Sequence, residues 1–158
     1  MKRSKLDKID LRILTDLQDN GRMTNVDLAE RAGISAPPCL RRVRALEENG
    51  YIEGYSAHLN KSYLGWGVTA YTHVSLINKG DKDVQKFIEE TDKLSHIREC
   101  STIIGDDDFV LKIVAKTFDD YQEFLQTKLM KLENVKTVKS SLIMKTMFSK
   151  PGIPIEIE

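Results

Sequence analysis

Apolar residues recur at helical spacing along the first fifty positions and at strand spacing from about residue 68 onward. Leu6, Ile9, Ile13, Leu14 and Leu17 follow the i, i+3, i+7, i+8 pattern of one amphipathic helix face. Asn20-Gly21 predicts the end of that helix, because both residues tolerate the left-handed geometry of a C-terminal cap. Thr24 then offers an N-cap hydroxyl, with Asp27 near the positive helix end, and Val26, Leu28 and Ala29 begin a short helix that Gly33 closes. Ser35 is the next N-cap. Pro37 and Pro38 fall in the following first turn, where a missing N–H costs no intrahelical bond. This third helix runs to about Asn49, with Gly50 as its stop. Residues 24–49 therefore read as helix, turn, helix.

Between Tyr51 and Asn60, short β-prone pieces split by Gly54 predict a small hairpin, the wing of a winged helix-turn-helix. Residues 61–67, with glycines on both sides of Trp66, read as a linker. Val68, Ala70, Thr72, Val74 and Leu76 then alternate with Thr69, Tyr71, His73, Ser75 and Ile77 as a half-buried strand does. Helical spacing returns over 81–94, strands are predicted over 97–104 and 109–116, and Gly105-Asp106-Asp107-Asp108 is a tight turn between them. Tyr121, Phe124, Leu125, Leu129 and Leu132 mark another helix, and residues 135–148 a closing strand. The predicted fold class is α+β: a winged helix-turn-helix over 1–60, the linker, a ferredoxin-like β-α-β-β-α-β domain over 68–148, and an irregular tail over 149–158. Pieces of this size are marginal alone, and several strands are apolar on both sides, so self-association is expected.

The third helix carries the candidate chemistry. At about 100° per residue, Cys39, Leu40, Val43 and Leu46 share an arc of roughly 120°, which leaves Arg41, Arg42 and Arg44 outside it. An arginine fork can grip a guanine edge or a phosphate, and a helix of this width enters a major groove. Ser35 and the free N–H groups of the helix start add a phosphate-binding end. No acidic residue occurs from Ala32 to Ala45. Arg31 either adds a phosphate contact or pairs with Asp27 or Glu30 on its own helix.

Composition limits how such a reader works. Lys and Arg together number 24, Asp and Glu 24, so the net charge is zero. Residues 1–60 hold ten basic against nine acidic side chains and the rest fourteen against fifteen, so affinity must come from a few placed arginines multiplied across an oligomer. Two cysteines without a CxxC pair fit a reducing cytosol. The basic start Met1-Lys2-Arg3-Ser4-Lys5 leads into no apolar signal core, and no apolar run approaches bilayer length, so a cytoplasmic protein without membrane contact is expected. His58, His73 and His96 are scattered without metal-ligand spacing, and no catalytic motif, metal site or cofactor is predicted. Cys39 and Cys100 read as packing residues.

The residues resemble one family in particular. Leu6-Asp7-Lys8-Ile9-Asp10, Asn25-Val26-Asp27-Leu28-Ala29, Pro38-Cys39-Leu40, Arg42-Val43-Arg44-Ala45-Leu46-Glu47 and Gly50-Tyr51-Ile52-Glu53-Gly54-Tyr55 are similar to Lrp/AsnC regulators, the leucine-responsive or feast/famine transcription factors. The likeness continues through Gly105-Asp106-Asp107-Asp108-Phe109 to about Met144. It implies an RAM/ACT-like second domain and a nucleoid-associated homodimer that assembles into tetramers, octamers or higher rings on double-stranded DNA. A small amino acid is the implied effector, bound between sheet domains. On this likeness the DNA-binding residues are Ser35, Pro37, Arg41, Arg42 and Arg44. The effector-binding residues are Gly105, Asp106 and Asp108, with Leu142, Ile143 and Met144 nearby. Asp107 departs from the aromatic residue that many members carry there. The rival reading is an amino-acid-sensing sheet module whose helical part contacts protein.

Overall fold

The computed structural model describes residues 5–157; the start Met1–Ser4, read above for a signal, and Glu158 lie outside it. The chain forms two compact units. One comprises the residues up to His58 joined by those from Phe148 on, and the other is Leu59–Met147.

In the helical unit, α1 spans Lys8–Asp19, α2 Asn25–Ala32 and α3 Ala36–Glu48. Each start follows from its cap. Asp7 and Asp10 form a reciprocal capping box on α1, Thr24 accepts the Asp27 amide on α2, and Pro37 and Pro38 occupy the first turn of α3. Gly33 ends α2 at φ 71°, as only a residue without a Cβ does at no cost. The end of α1 differs from expectation: neither Asn20 nor Gly21 is left-handed. Gly21 serves instead to admit a neighbour, since a Cβ there would lie 3.1 Å from the Tyr55 ring. Ile13, Leu28, Ala29, Cys39 and Leu46 are the buried core.

No residue between Tyr51 and Asn60 is in a strand, so the expected hairpin is not formed. The apolar pieces of that segment pack on the helices instead. Tyr51 and Ile52 join the helical core, and the Tyr55 hydroxyl donates to Glu47 at 2.9 Å. Burial, reinforced by that carboxylate, pushes the Tyr55 phenol up to about 12.

The carboxyl-terminal residues belong to this unit too, and are not a separate tail. Gln18 donates to the Ile153 carbonyl at 2.8 Å and accepts the Ile153 amide at 2.9 Å. Its side chain passes over Gly152, which is left-handed at φ 69°. A Cβ on Gly152 would fall 2.0 Å from the Gln18 Oε1.

The second unit is built from β1 (Val68–Leu76), α4 (Asp81–Asp92), β2 (Ile97–Thr102), β3 (Phe109–Ala115), α5 (Phe118–Thr127), a short 3-10 turn (Leu129–Lys131) and β4 (Val135–Leu142). All pairings are antiparallel and the strand order is β2-β3-β1-β4, the ferredoxin-like arrangement. Ala70, Val74 and Leu76 of β1 and Phe109, Leu111, Ile113 and Ala115 of β3 form one buried face with Phe87 and Phe124 from the helices. The Tyr121 hydroxyl meets Thr72 at 2.9 Å and Ser140 at 2.6 Å, so the polar groups of that face are mutually satisfied. The other face carries Tyr71, His73, Ser75, Lys112 and Lys139, alongside Val110 and Val114. It is mixed rather than apolar. Cys39 is buried as expected, whereas Cys100 is exposed because β2 is an edge strand. β4 stops at Leu142, short of the expected Phe148, because its register with β1 ends opposite Ala70.

Candidate DNA interface and effector turn

The α3 surface sorts the arginines into two kinds. Arg41 and Arg44 are exposed, and their side chains make no ion pair or hydrogen bond among the described residues. They share one face with the exposed Pro37 and Leu40, at i, i+3, i+4 and i+7. Leu40, expected in the buried arc, is 39% exposed. Ser35 caps α3 in an extended conformation without its hydroxyl being tied into the helix. The Asn25 side-chain Nδ2 donates to the Ala36 carbonyl at 2.9 Å, which pins the start of α3 to α2.

Arg42 and Arg31 are engaged inside the unit. One Arg42 nitrogen, Nη1, donates to Asp7 Oδ2 and to Asp10 Oδ1, each at 2.7 Å. Arg42 therefore does not stand with Arg41 and Arg44 on the outward face. The helical wheel explains why: at about 100° per residue, Arg42 lies roughly 60° from Cys39, at the rim of the buried stripe. Leu40 lies roughly 100° away on the other side. Arg31 pairs with neither Asp27 nor Glu30 but with Asp16 of α1 at 2.8 Å. Asp16 is 3% exposed and also accepts from Arg12 at 3.2 Å.

Burial of Asp16 acts to raise its pKa, but the Arg31 and Arg12 guanidiniums outweigh it and hold the carboxyl below its ordinary value. Such a depressed group stabilises the fold above its unfolded pKa, and that contribution is lost as pH falls through the folded one. The helical unit is therefore expected to lose stability below about pH 4. Asp16→Asn should flatten that dependence in urea unfolding followed by circular dichroism at stepped pH. A slope unchanged by the substitution would assign the acid sensitivity elsewhere.

In the sheet unit, the turn after β2 is held by its own acids. Asp108 Oδ2 accepts the Leu76 amide at 2.9 Å and Oδ1 meets Lys79 Nζ at 2.7 Å. The Lys79 ammonium, then the Leu76 amide, keep the Asp108 carboxyl below its usual range. Asp107 turns onto the sheet. It accepts the Ser75 hydroxyl at 2.7 Å and the Lys139 ammonium at 3.3 Å, with His73 Nδ1 at 3.9 Å. The Ser75 hydroxyl and then Lys139 lower its pKa. Its charge is thus met by its own chain. Gly105 and Asp106 are exposed.

Leu142, Ile143 and Met144 are not beside this turn within one chain. The Asp108 backbone N–H donates to the Val74 carbonyl, whereas Leu142 stands opposite Ala70 and the Ile143 amide donates to the Thr69 carbonyl. Four to five strand residues separate them along β1, or roughly 13–17 Å. Among β4 residues, Lys139 does bond to the turn.

Comparison with known proteins places this arrangement. Residues 6–53 match a family model described as winged helix-turn-helix DNA-binding, and residues 69–153 match the Lrp/AsnC ligand binding domain. The chain belongs to the Lrp/AsnC family of transcriptional regulators. It is similar to the leucine-responsive regulatory protein of Rhizobium meliloti, 45% identical over 98% of each chain. Identity to the Escherichia coli K12 protein of that name is 39%, over 88% of this chain and 85% of that one. Among solved structures, a transcriptional regulator from Neisseria meningitidis in complex with L-Met superposes with a TM-score of 0.90 at 31% identity, covering 95% and 97% of the two chains. An AsnC family regulator from Agrobacterium tumefaciens gives 0.88 at 26% identity, covering 94% and 97%.

As an Lrp/AsnC regulator, the chain has its DNA-binding and ligand-binding domains in that order, which removes the reading of the helical part as a protein-contact module. Among the described residues, no group of three or more His, Cys, Asp or Glu side chains is placed to hold a metal, and no helix is long and apolar enough to cross a membrane. His96 is structural: it stacks on Phe124 at 4.6 Å and meets Asp120 at 3.2 Å. Sequence reading missed Ser75, Lys79 and Lys139 around the turn. Their signal lies in strand register, which periodicity does not reveal.

Proposed function

We propose that this Lrp/AsnC regulator reads operator DNA through the outward face of α3 and that its DNA binding responds to a small amino acid held between sheet units of different chains. Arg41 and Arg44 make the charged contacts, Pro37 and Leu40 offer apolar contact to thymine methyl groups, and Ser35 meets a phosphate at the helix start. The observation that carries this reading is the sorting of the arginines in and beside α3: Arg41 and Arg44 on the outward face are unpaired, and Arg31 and Arg42 are engaged.

The amino-acid site is composite in this reading. Gly105, Asp106 and Asp108 come from one chain, and Leu142, Ile143 and Met144 from another, since a single chain keeps the two groups apart. Exposure of Leu142 at 45% and Met144 at 101% supports a second chain covering them. The L-Met bound to the Neisseria relative supports an amino acid as the ligand class. A homodimer, assembling to tetramer, octamer or higher, follows from that composite site and from the near-neutral charge of the helical unit. A protein that binds the chromosome in this way works in the cytoplasm, in association with the nucleoid.

Fluorescence-anisotropy titration of promoter duplexes at several salt concentrations, with and without each of the twenty amino acids, tests the whole reading. Affinity is expected to fall steeply with salt, and at least one amino acid should shift the binding curve. Salt-independent absence of binding would remove the DNA assignment, and twenty superimposable curves would remove the effector.

A further inference from the structure

Arg42 lies on the reading helix, yet its charge is spent on another helix. Its Nη1 bridges Asp7 and Asp10, and these are the two carboxylates of the α1 capping box. Asp7 accepts the Asp10 amide at 2.8 Å, and Asp10 accepts the Asp7 amide at 3.1 Å. The box fixes both acids at the positive end of α1 before Arg42 arrives, so little side-chain entropy is lost on their side when the ion pairs form. The Arg42 side chain is 33% exposed and that of Asp10 only 15%, so water screens this pairing less than it does a fully exposed one. Arg31 does the same for α2 by bonding the buried Asp16. Each helix of the helix-turn-helix is thereby tied to α1 by one arginine, at opposite ends of α1.

We propose that Arg42 is a positioning residue, which sets the rotation and tilt of α3 against α1 through Asp7 and Asp10, and that it neutralises no DNA phosphate. This rests on the DNA-reading role of α3 proposed above. An arginine only one residue from Arg41 would otherwise be counted with it as a contact. Holding Arg42 inward decides which way Arg41 and Arg44 point, because a helix turns as one body. A rotation of one residue step, about 100°, would carry Arg41 off the outward face.

The proposal makes a prediction of opposite sign to simple electrostatics. Removing two carboxylates beside a DNA-binding helix strengthens DNA binding if long-range charge is what matters. If the two acids position α3, removing them weakens it. The experiment measures operator and random-sequence affinity across a salt series for full-length wild type, Arg42→Ala, Arg42→Lys, the double variant Asp7→Asn/Asp10→Asn, and the triple combination. Both Arg42→Ala and the double variant are expected to lose operator affinity roughly three- to tenfold, as a partly screened ion network allows. The salt slope should match wild type, and the triple variant should be no weaker than the double one. Arg42→Lys keeps a charge in reach and is expected to recover most of the loss, which also guards against a fold defect in the alanine variant.

The proposal is overturned if Arg42→Ala lowers the salt slope by about one per bound subunit, the signature of a lost phosphate contact. It is equally overturned if the double variant binds operator as well as wild type or better. Failure of the underlying DNA reading looks different: wild type itself would show no salt-dependent binding.

Discussion

Alanine at both Arg41 and Arg44 is expected to abolish measurable operator binding at moderate salt while leaving the unfolding curve of the protein in place. Each arginine fork on a base edge contributes about 1–3 kcal/mol of discrimination. With two such residues per chain and two chains per operator, even the lower figure amounts to about 4 kcal/mol, or roughly a thousandfold in affinity. Both side chains are exposed and unpaired, so their loss stays within about 0.5 kcal/mol in stability, as for ordinary surface positions. Anisotropy on the operator and urea unfolding of the same samples check the two halves. An affinity within threefold of wild type would move the reading surface away from this face of α3.

The second large effect is expected at Gly152. Valine there meets two obstacles at once: a left-handed backbone at φ 69°, and a Cβ 2.0 Å from the Gln18 Oε1. Left-handed geometry costs an L-residue roughly 1–2 kcal/mol, and more when it is β-branched. Gln18 must also withdraw and give up its two bonds to Ile153, each worth about 0.5–1.5 kcal/mol net. Ile153 is 70% exposed, so its burial does little to hold the segment in place. Residues from about 149 onward should therefore leave the helical unit and become cleavable by a broad-specificity protease at the native fold. Gln18→Ala loses the bonds without the backbone strain and should fall between wild type and Gly152→Val. Equal protection in all three proteins would mean that other contacts hold the segment.

What the sequence discloses depends on the range of the interaction behind each feature. The three helices, their caps at Thr24 and Gly33, and the β-α-β-β-α-β order rest on contacts within a few residues, and periodicity carries them. The absent hairpin shows the limit of that logic. Tyr51, Ile52 and Tyr55 are β-prone, but partners on the helices, Leu46 and Glu47 among them, take their hydrogen bonds. On α3 the expected buried arc was centred too far toward Leu40. Centring it on Cys39, the residue with no exposure at all, brings Arg42 to the rim beside α1. The direction in which Asp107 points was not legible at all. It follows from the pairings of β1 with β3 and β4, which place Ser75, His73 and Lys139 under the turn. The same pairings separate Leu142 from Asp108, two groups that the family likeness assigns to one site.

The docked carboxyl end has a consequence for how the protein is made. Because residues from Phe148 on complete the helical unit, the sheet unit is inserted within it, and the chain crosses between the two twice. On the ribosome the three helices emerge first, and the strands follow and can pair as they leave the tunnel. The last piece of the helical unit emerges only after the whole sheet unit has done so. The DNA-binding unit is thus the first to begin folding and completes itself only after the sheet unit, and a nascent chain whose residue 153 is still in the tunnel lacks the Gln18–Ile153 bracket.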